Sequence, residues 1–158
     1  MSESRVPDVE IERKYLLSGF PDRARTAPVK EIRQGWIPGE RLQERLRRVN
    51  DANGERFFRT VKLGRGIERI EVEEETPADL FEKMWPLTEG RRVQKRRSLI
   101  EDGDLVWEVD AFLDRDLFLA EVELPSASTQ VVIPEWLAPY VVREVTGEDA
   151  YVNVNLAR

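Results

Sequence analysis

Apolar and polar side chains alternate with period two along most of this chain, starting at PDVEIERKYLL, residues 7–17. Successive side chains of an extended strand point to opposite faces, so Val9, Ile11, Arg13 and Tyr15 share one face and Glu10, Glu12 and Lys14 the other. The same rhythm returns in VKEIRQGWI, RLQERLRRVND, RFFRTVKLG, IERIEVEEE, RVQKRRSLIE, LVWEVDAFL and LFLAEVEL, giving eight expected strands. The turn signals DANGE, GRG and DGD are short, and short connections favour antiparallel neighbours. One helix is expected in TPADLFEKMWPLTEG, with Thr76 as N-cap, Pro77 at the first helical position, Leu80, Phe81 and Met84 as its apolar side, and an interruption at Pro86. The tail, IPEWLAPYVVREVTGEDAYVNVNLAR, predicts a proline-started helical turn, a short extended piece and a capping segment. The expected class is therefore mainly β, an α+β chain with a few peripheral helices.

Composition narrows the chemistry. The 158 residues suit a single domain, 1–158. Neither cysteine nor histidine is present, which removes disulfides, thiolate metal sites, the usual general base and the commonest transition-metal ligand. Carboxylates, lysines, arginines, hydroxyls and hard cations are left to do any chemistry. The start, MSESRVPD, lacks a signal-peptide pattern and no apolar run is long enough to span a bilayer, so a cytoplasmic protein is expected. A net charge of −6 argues against a nucleic-acid partner, although 35% of the residues are charged and both signs are plentiful.

The charges segregate strand by strand. Arg45 and Arg47 share a face, as do Thr60 and Lys62, then Arg69, Glu71, Glu73 and Glu75, then Lys95 and Arg97, then Glu121 and Glu123. The ordinary fate of alternating charge is the solvated face of an antiparallel sheet, but such a face commonly mixes signs within a strand. Whole strands that specialise as acidic or basic suit a closed eight-stranded barrel with a charged, wet interior. There, arginine and lysine would hold phosphoryl oxygens, and paired carboxylates would hold Mg²⁺ or Mn²⁺, hard cations that prefer oxygen ligands. A divalent cation between Glu10 and Glu12 would turn a repulsive pair into a favourable one.

With Glu10, Glu12 and Lys14 forming E-x-E-x-K, the chain resembles the CYTH domain or triphosphate tunnel metalloenzyme family. The likeness runs in order through Arg45 and Arg47, Lys62, Arg69, Glu71 and Glu73, Lys95 and Arg97, Asp110 of WEVDAF, Glu121 and Glu123 of AEVEL, and the tail EVTGEDAYVNVNLA. It implies an eight-stranded antiparallel tunnel that binds a linear triphosphate, and the short length and the tail look most like the bacterial inorganic triphosphatases. The activity so implied is metal-dependent hydrolysis of inorganic tripolyphosphate to pyrophosphate and phosphate. Lys14, Arg45, Arg47, Lys62, Arg69, Lys95 and Arg97 would bind phosphoryl oxygens, with Arg69 equally suited to a salt bridge to glutamates nearby. Glu10, Glu12 and Glu123 would hold Mg²⁺ or Mn²⁺, with Asp110 and Glu121 as further metal ligands. Lys62, Glu71 and Glu73 would act on the attacking water.

Two other readings stay open: hydrolysis or cyclisation of an organic triphosphate, such as thiamine triphosphate or a nucleotide, and polyphosphate binding without turnover. The expected partner is inorganic triphosphate or polyphosphate, with no nucleic acid and no membrane, and with a homodimer as the candidate assembly. Trp85, Trp107 and Trp136 suit core or cover positions, and Thr146, Tyr151 and Asn153 suit fixing the tail. One position departs from the family pattern: where the resemblance implies a tyrosine paired with Lys62, RQGWI carries Trp36, whose indole N–H can only donate.

Overall fold

A computed structural model describes residues 11–63 and 70–157. Their strands form one antiparallel sheet: β1 (Ile11–Leu17), β2 (Val29–Ile37), β3 (Leu42–Asp51), β4 (Gly54–Leu63), β5 (Ile70–Glu75), β6 (Arg92–Asp102), β7 (Leu105–Phe112), β8 (Phe118–Leu124) and β9 (Val141–Glu144). The spatial order is β5-β4-β3-β2-β6-β7-β8-β1-β9. All eight strands read from the alternation form, and the short extended piece of the tail is the ninth. The closed eight-stranded ring does not appear: β5 and β9 are the two edges of the sheet. The local reason is that β9 pairs with β1 from Tyr15 to Leu17 and so takes part of the edge that a ring would use.

Turn chemistry fixes the hairpins. Gly54 has φ +100° and Gly103 has φ +60°, in the left-handed region that glycine enters without a Cβ penalty. The helix differs from expectation at its start. It runs as α2 over Ala78–Met84, after a four-residue α1 at Asp22–Arg25, and its N-cap is Pro77 with no side-chain cap. Thr76 instead donates its backbone N–H to the Phe57 carbonyl and continues the sheet edge. Pro86 lies in a 3-10 turn, Trp85–Thr88, because a ring at that position cannot extend an α-helix.

One face of β1, β6, β7 and β8 is apolar. Tyr15, Leu17, Ile100, Trp107, Val109, Ala120, Val122 and Leu124 pack there under Ala24, Ala27 and Leu137 from the connections. Trp107 is fully buried, and Trp136 packs against the same cluster, so both are core or cover as expected. On β2 the 3-10 turn comes so close that a Cβ on Gly35 would meet Thr88 at 2.5 Å. Trp85 stacks on Phe81 of α2, which in turn meets Phe57 of β4.

Candidate functional site

The opposite face of the sheet carries the charge. Register puts Lys30, Arg97, Asp110, Leu119 and Leu16 side by side across β2, β6, β7, β8 and β1. Glu108, Glu121 and Lys14 form the neighbouring row, and Glu123 sits opposite Glu12 beyond it. On the other side, Gln34 faces Arg47, Trp36 faces Arg45, Thr60 lies between Arg45 and Glu73, and Lys62 lies between Gln43 and Glu71. An ordinary solvated face would leave such groups in water. Here Lys95 and Thr60 are 0% exposed, Asp110 1% and Lys14 8%.

Asp110 is the hub of the β6–β7 part. Its Oδ1 accepts from Arg97 Nε at 2.8 Å and its Oδ2 from Arg97 NH2 at 3.0 Å, with Lys95 Nζ 2.9 Å from the same Oδ2. Burial by itself would raise the Asp110 carboxyl, but the two cations outweigh it and hold the group well below the usual carboxylate range. For Lys95 burial wins: it pushes the ammonium down to about 8 against the pull of Asp110. Arg97 stays charged, its desolvation offset by Asp110. The third arginine NH group lies 2.6 Å from Glu108 Oε2.

Arg47 is in a different position. Its Nε donates to Gln34 Oε1 at 2.8 Å, a neutral partner, and burial, with Arg45 and Arg97 nearby, pushes the guanidinium down to about 9. Arg45 donates to Thr60 Oγ1 and reaches Glu73 Oε1 at 3.4 Å, and its own ionisation is lowered by burial. Arg45 Nε and Gln34 Nε2 are buried with no hydrogen-bond partner among the described residues. Uncommitted donors beside poorly compensated cations are the chemistry of an anion site.

On β1, Lys14 Nζ lies 3.1 Å from Glu121 Oε1 and donates to the Tyr151 carbonyl at 3.0 Å. Asn153, at the start of α3 (Asn153–Leu156), accepts from Lys95 at 3.3 Å, and the Thr146 hydroxyl accepts from the Lys14 backbone N–H. The tail is fixed on the sheet by these contacts, as expected of Thr146, Tyr151 and Asn153. It also covers an apolar end of the same face, where Trp36, Val93, Phe112, Leu119 and Val145 cluster with Leu16, Tyr151 and Leu156. Trp36 is 5% exposed in that cluster and faces Arg45, with Lys62 two strands away.

Glu12 and Glu123 are exposed partners across β1 and β8. Among the described residues no group of three or more acidic side chains forms a metal-holding cluster, while Glu10 and Arg69 lie outside the described residues. Carboxylate oxygens are nevertheless the donors that a hard divalent cation takes, and the like-charged Glu12–Glu123 pair is one that such a cation relieves. Lys62 Nζ lies 3.9 Å from Glu71 Oε1, and both Glu71 and Glu73 are exposed on β5. Sequence reasoning passed over Gln34 and Glu108. Parity could have found both, since Gln34 shares its face with Trp36, and Glu108 shares its face with Asp110 in WEVD.

No protein-family model matches the chain. A protein of Nitrosomonas europaea named inorganic triphosphatase is 39% identical over 155 residues, covering 94% of this chain and 96% of that protein. One from Acetivibrio thermocellus with the same name is 34% identical over 154 residues, covering 94% and 93%. Among solved structures, the crystal structure of the inorganic triphosphatase NE1496 superposes with a TM-score of 0.70 at 34% identity over 94% of this chain and 93% of the other.

Proposed function

Since this chain belongs to the family of inorganic triphosphatases, the triphosphate tunnel metalloenzymes of CYTH type, we propose that it hydrolyses inorganic tripolyphosphate to pyrophosphate and phosphate on the charged face of its sheet. The observation that carries the reading is Arg47: a largely desolvated guanidinium with a neutral partner, next to Arg45 and within the field of Arg97. A buried cation without a matching carboxylate becomes favourable once a polyanion lies beside it. Family membership supplies the substrate, because fold alone does not choose among triphosphates.

Arg45 and Arg47 of β3 and Lys95 and Arg97 of β6 bind the phosphoryl oxygens, with Lys14, Lys62 and Arg69 completing the basic lining. Arginine does so through its planar fork and lysine as a point charge. Holding the chain in line for attack and stabilising the charge that develops on it is most of the catalytic task in phosphoryl transfer. Glu10, Glu12 and Glu123 would hold Mg²⁺ or Mn²⁺, which when bound would supply neutralisation of phosphoryl charge. Glu71 and Glu73 orient the attacking water, and Lys62, once it has lost its own proton to solvent, accepts the proton of that water. Glu121 keeps Lys14 in position, and Asp110, whose oxygens are held by Lys95 and Arg97, keeps those cations in register rather than adding a further metal ligand. An enclosing eight-stranded tunnel around the substrate is part of this reading, with β5, exposed along its whole length, as the strand that would complete it.

A substrate panel with Mg²⁺ and with Mn²⁺, scored for phosphate release, tests the reading. Tripolyphosphate is expected to give a higher kcat/KM than ATP or thiamine triphosphate, and excess EDTA is expected to stop turnover. Preference for ATP would move the assignment to an organic triphosphate. Tight binding with no phosphate release would make the protein a polyphosphate carrier.

A further inference from the structure

The triphosphatase reading leaves one neighbour of the reacting chain without a role. Glu108 is a carboxylate on the charged face of β7, aimed at an arginine that has to receive phosphoryl oxygens. A guanidinium has five N–H donors in a fixed fork. Asp110 takes two directions of the Arg97 fork, through Nε at 2.8 Å and NH2 at 3.0 Å, and Glu108 Oε2 sits 2.6 Å from the third, NH1. Glu121 is 4.0 Å from NH2. Three of the five Arg97 donors are thus turned to carboxylates, and a phosphoryl oxygen that takes the donor at NH1 competes with Glu108.

We propose that Glu108 competes with the substrate for Arg97, so that an anion gains the NH1 donor of that arginine only by displacing this carboxylate. The reading rests on the triphosphatase assignment and deepens it.

The choice of Glu108 over Asp110 follows from how each is held. Asp110 is 1% exposed and tied to Lys95 as well as Arg97, and it has nowhere else to go. The Glu108 side chain is 33% exposed and, among the described residues, has its ion pair with Arg97 alone. Its partner across β8 is Glu121, a second carboxylate, so its strand position is itself repulsive. Burial, with Asp110 and Glu121 nearby, holds its carboxyl above the usual range in spite of Arg97, which marks the weaker member of the pair.

Local charge gives the same answer. Lys95 and Arg97 balance Asp110 and Glu108, and Lys14 balances Glu121. With Glu108 in place the β6–β7 part of the site carries no excess positive charge. When it swings toward solvent, one positive charge is uncovered for phosphate. The displacement costs the same whichever anion arrives, so it weakens tripolyphosphate and its products by a similar factor, and tripolyphosphate keeps the advantage of the charge it places along the rest of the basic face. Glu108 therefore eases product release by about as much as it weakens substrate binding.

The experiment is Glu108→Gln, which keeps shape and removes the competing charge. The expected result is a KM for tripolyphosphate lower by about tenfold, the size of one hydrogen bond to a charged group, with a Ki for pyrophosphate lower by a similar factor and kcat not increased. Calorimetric binding of tripolyphosphate in EDTA, where no turnover occurs, should tighten in parallel. A general loss of negative charge would also tighten binding, and the same substitution in an Arg97→Met background separates the two: competition for Arg97 predicts that the gain disappears there. An unchanged or raised KM in Glu108→Gln, or a gain that survives without Arg97, overturns the proposal. Those outcomes leave the triphosphatase reading standing, and that reading fails on its own if the wild-type protein releases no phosphate from tripolyphosphate.

Discussion

At the scale of single residues, function and stability pull against each other. Arg47 has a neutral hydrogen-bond partner and is pushed down to about 9 by burial and by its cationic neighbours, so the free protein gains little from its charge. Replacing a poorly compensated buried charge by an apolar group of similar size is often neutral or stabilising, by roughly 1–4 kcal/mol. Arg47→Met is expected to hold or raise the free energy of unfolding, by about 1 kcal/mol at the lower end of that range, while KM for tripolyphosphate rises at least tenfold. A destabilised variant with an unchanged KM would place Arg47 in the scaffold. Lys95 gives a pH prediction. Its ammonium is pushed down to about 8, so above that pH the free protein loses a cation of the proposed phosphate site. The kcat/KM profile reports groups of the free enzyme, and its alkaline limb should fall by up to tenfold per pH unit. Lys95→Arg should remove that limb; a limb that persists belongs to another group.

Elements place those residues and also limit them. The tail from Val145 to Ala157 both covers the Trp36, Phe112 and Leu119 cluster and contacts Lys14 and Lys95. Ending the chain after Glu144 exposes several large apolar side chains and frees two lysines. It should cost several kcal/mol in urea unfolding, at about 25 cal/mol per Å² of apolar surface returned to water. Removing only the lysine contact, by Asn153→Ala, should leave stability nearly unchanged, since one modest hydrogen bond is worth about 1 kcal/mol. Equal loss in both variants would mean that the polar contacts, rather than the apolar cover, anchor the tail. On the other side of the sheet, Gly35 is required by proximity: a Cβ there meets Thr88 at 2.5 Å, so Gly35→Ala should destabilise by about 1–3 kcal/mol through overpacking.

For the whole molecule, Asp110 sets the acid limit. Its folded ionisation lies below the ordinary 3.8 because Lys95 and Arg97 outweigh the burial penalty. A depressed carboxylate contributes stability that is fully present above the unfolded value and is lost as pH falls through the folded one. Unfolding free energy should therefore decline below about pH 4, continuing well into the acid range. Asp110→Asn should flatten that slope and cost about 3–5 kcal/mol at neutral pH, because it leaves two cations without their carboxylate. A wild-type profile flat from pH 6 to pH 2 would contradict the assignment.

Alternation by itself determined the strands, the facing of each charge and the antiparallel class, because side-chain direction follows residue parity whatever the rest of the molecule does. The ordered charged motifs also pointed to a linear triphosphate, and relatives at 34% and 39% identity carry the name inorganic triphosphatase. Local signals failed where an outcome depended on competition between distant segments. Thr76 had the form of a helix cap, but its N–H is taken by Phe57 on β4. The expected ring met a ninth strand, because the tail folds back on β1 and no local pattern says which edge it will choose. Gln34 and Glu108 had the right parity, yet only register puts one beside Arg47 and the other against Arg97. Whether a charge is compensated depends on which strand lies opposite and how deeply both are buried. That pairing is what the tertiary structure decided, since the same lysine or arginine is an ordinary surface cation in water and a desolvated, partly compensated one between buried strands.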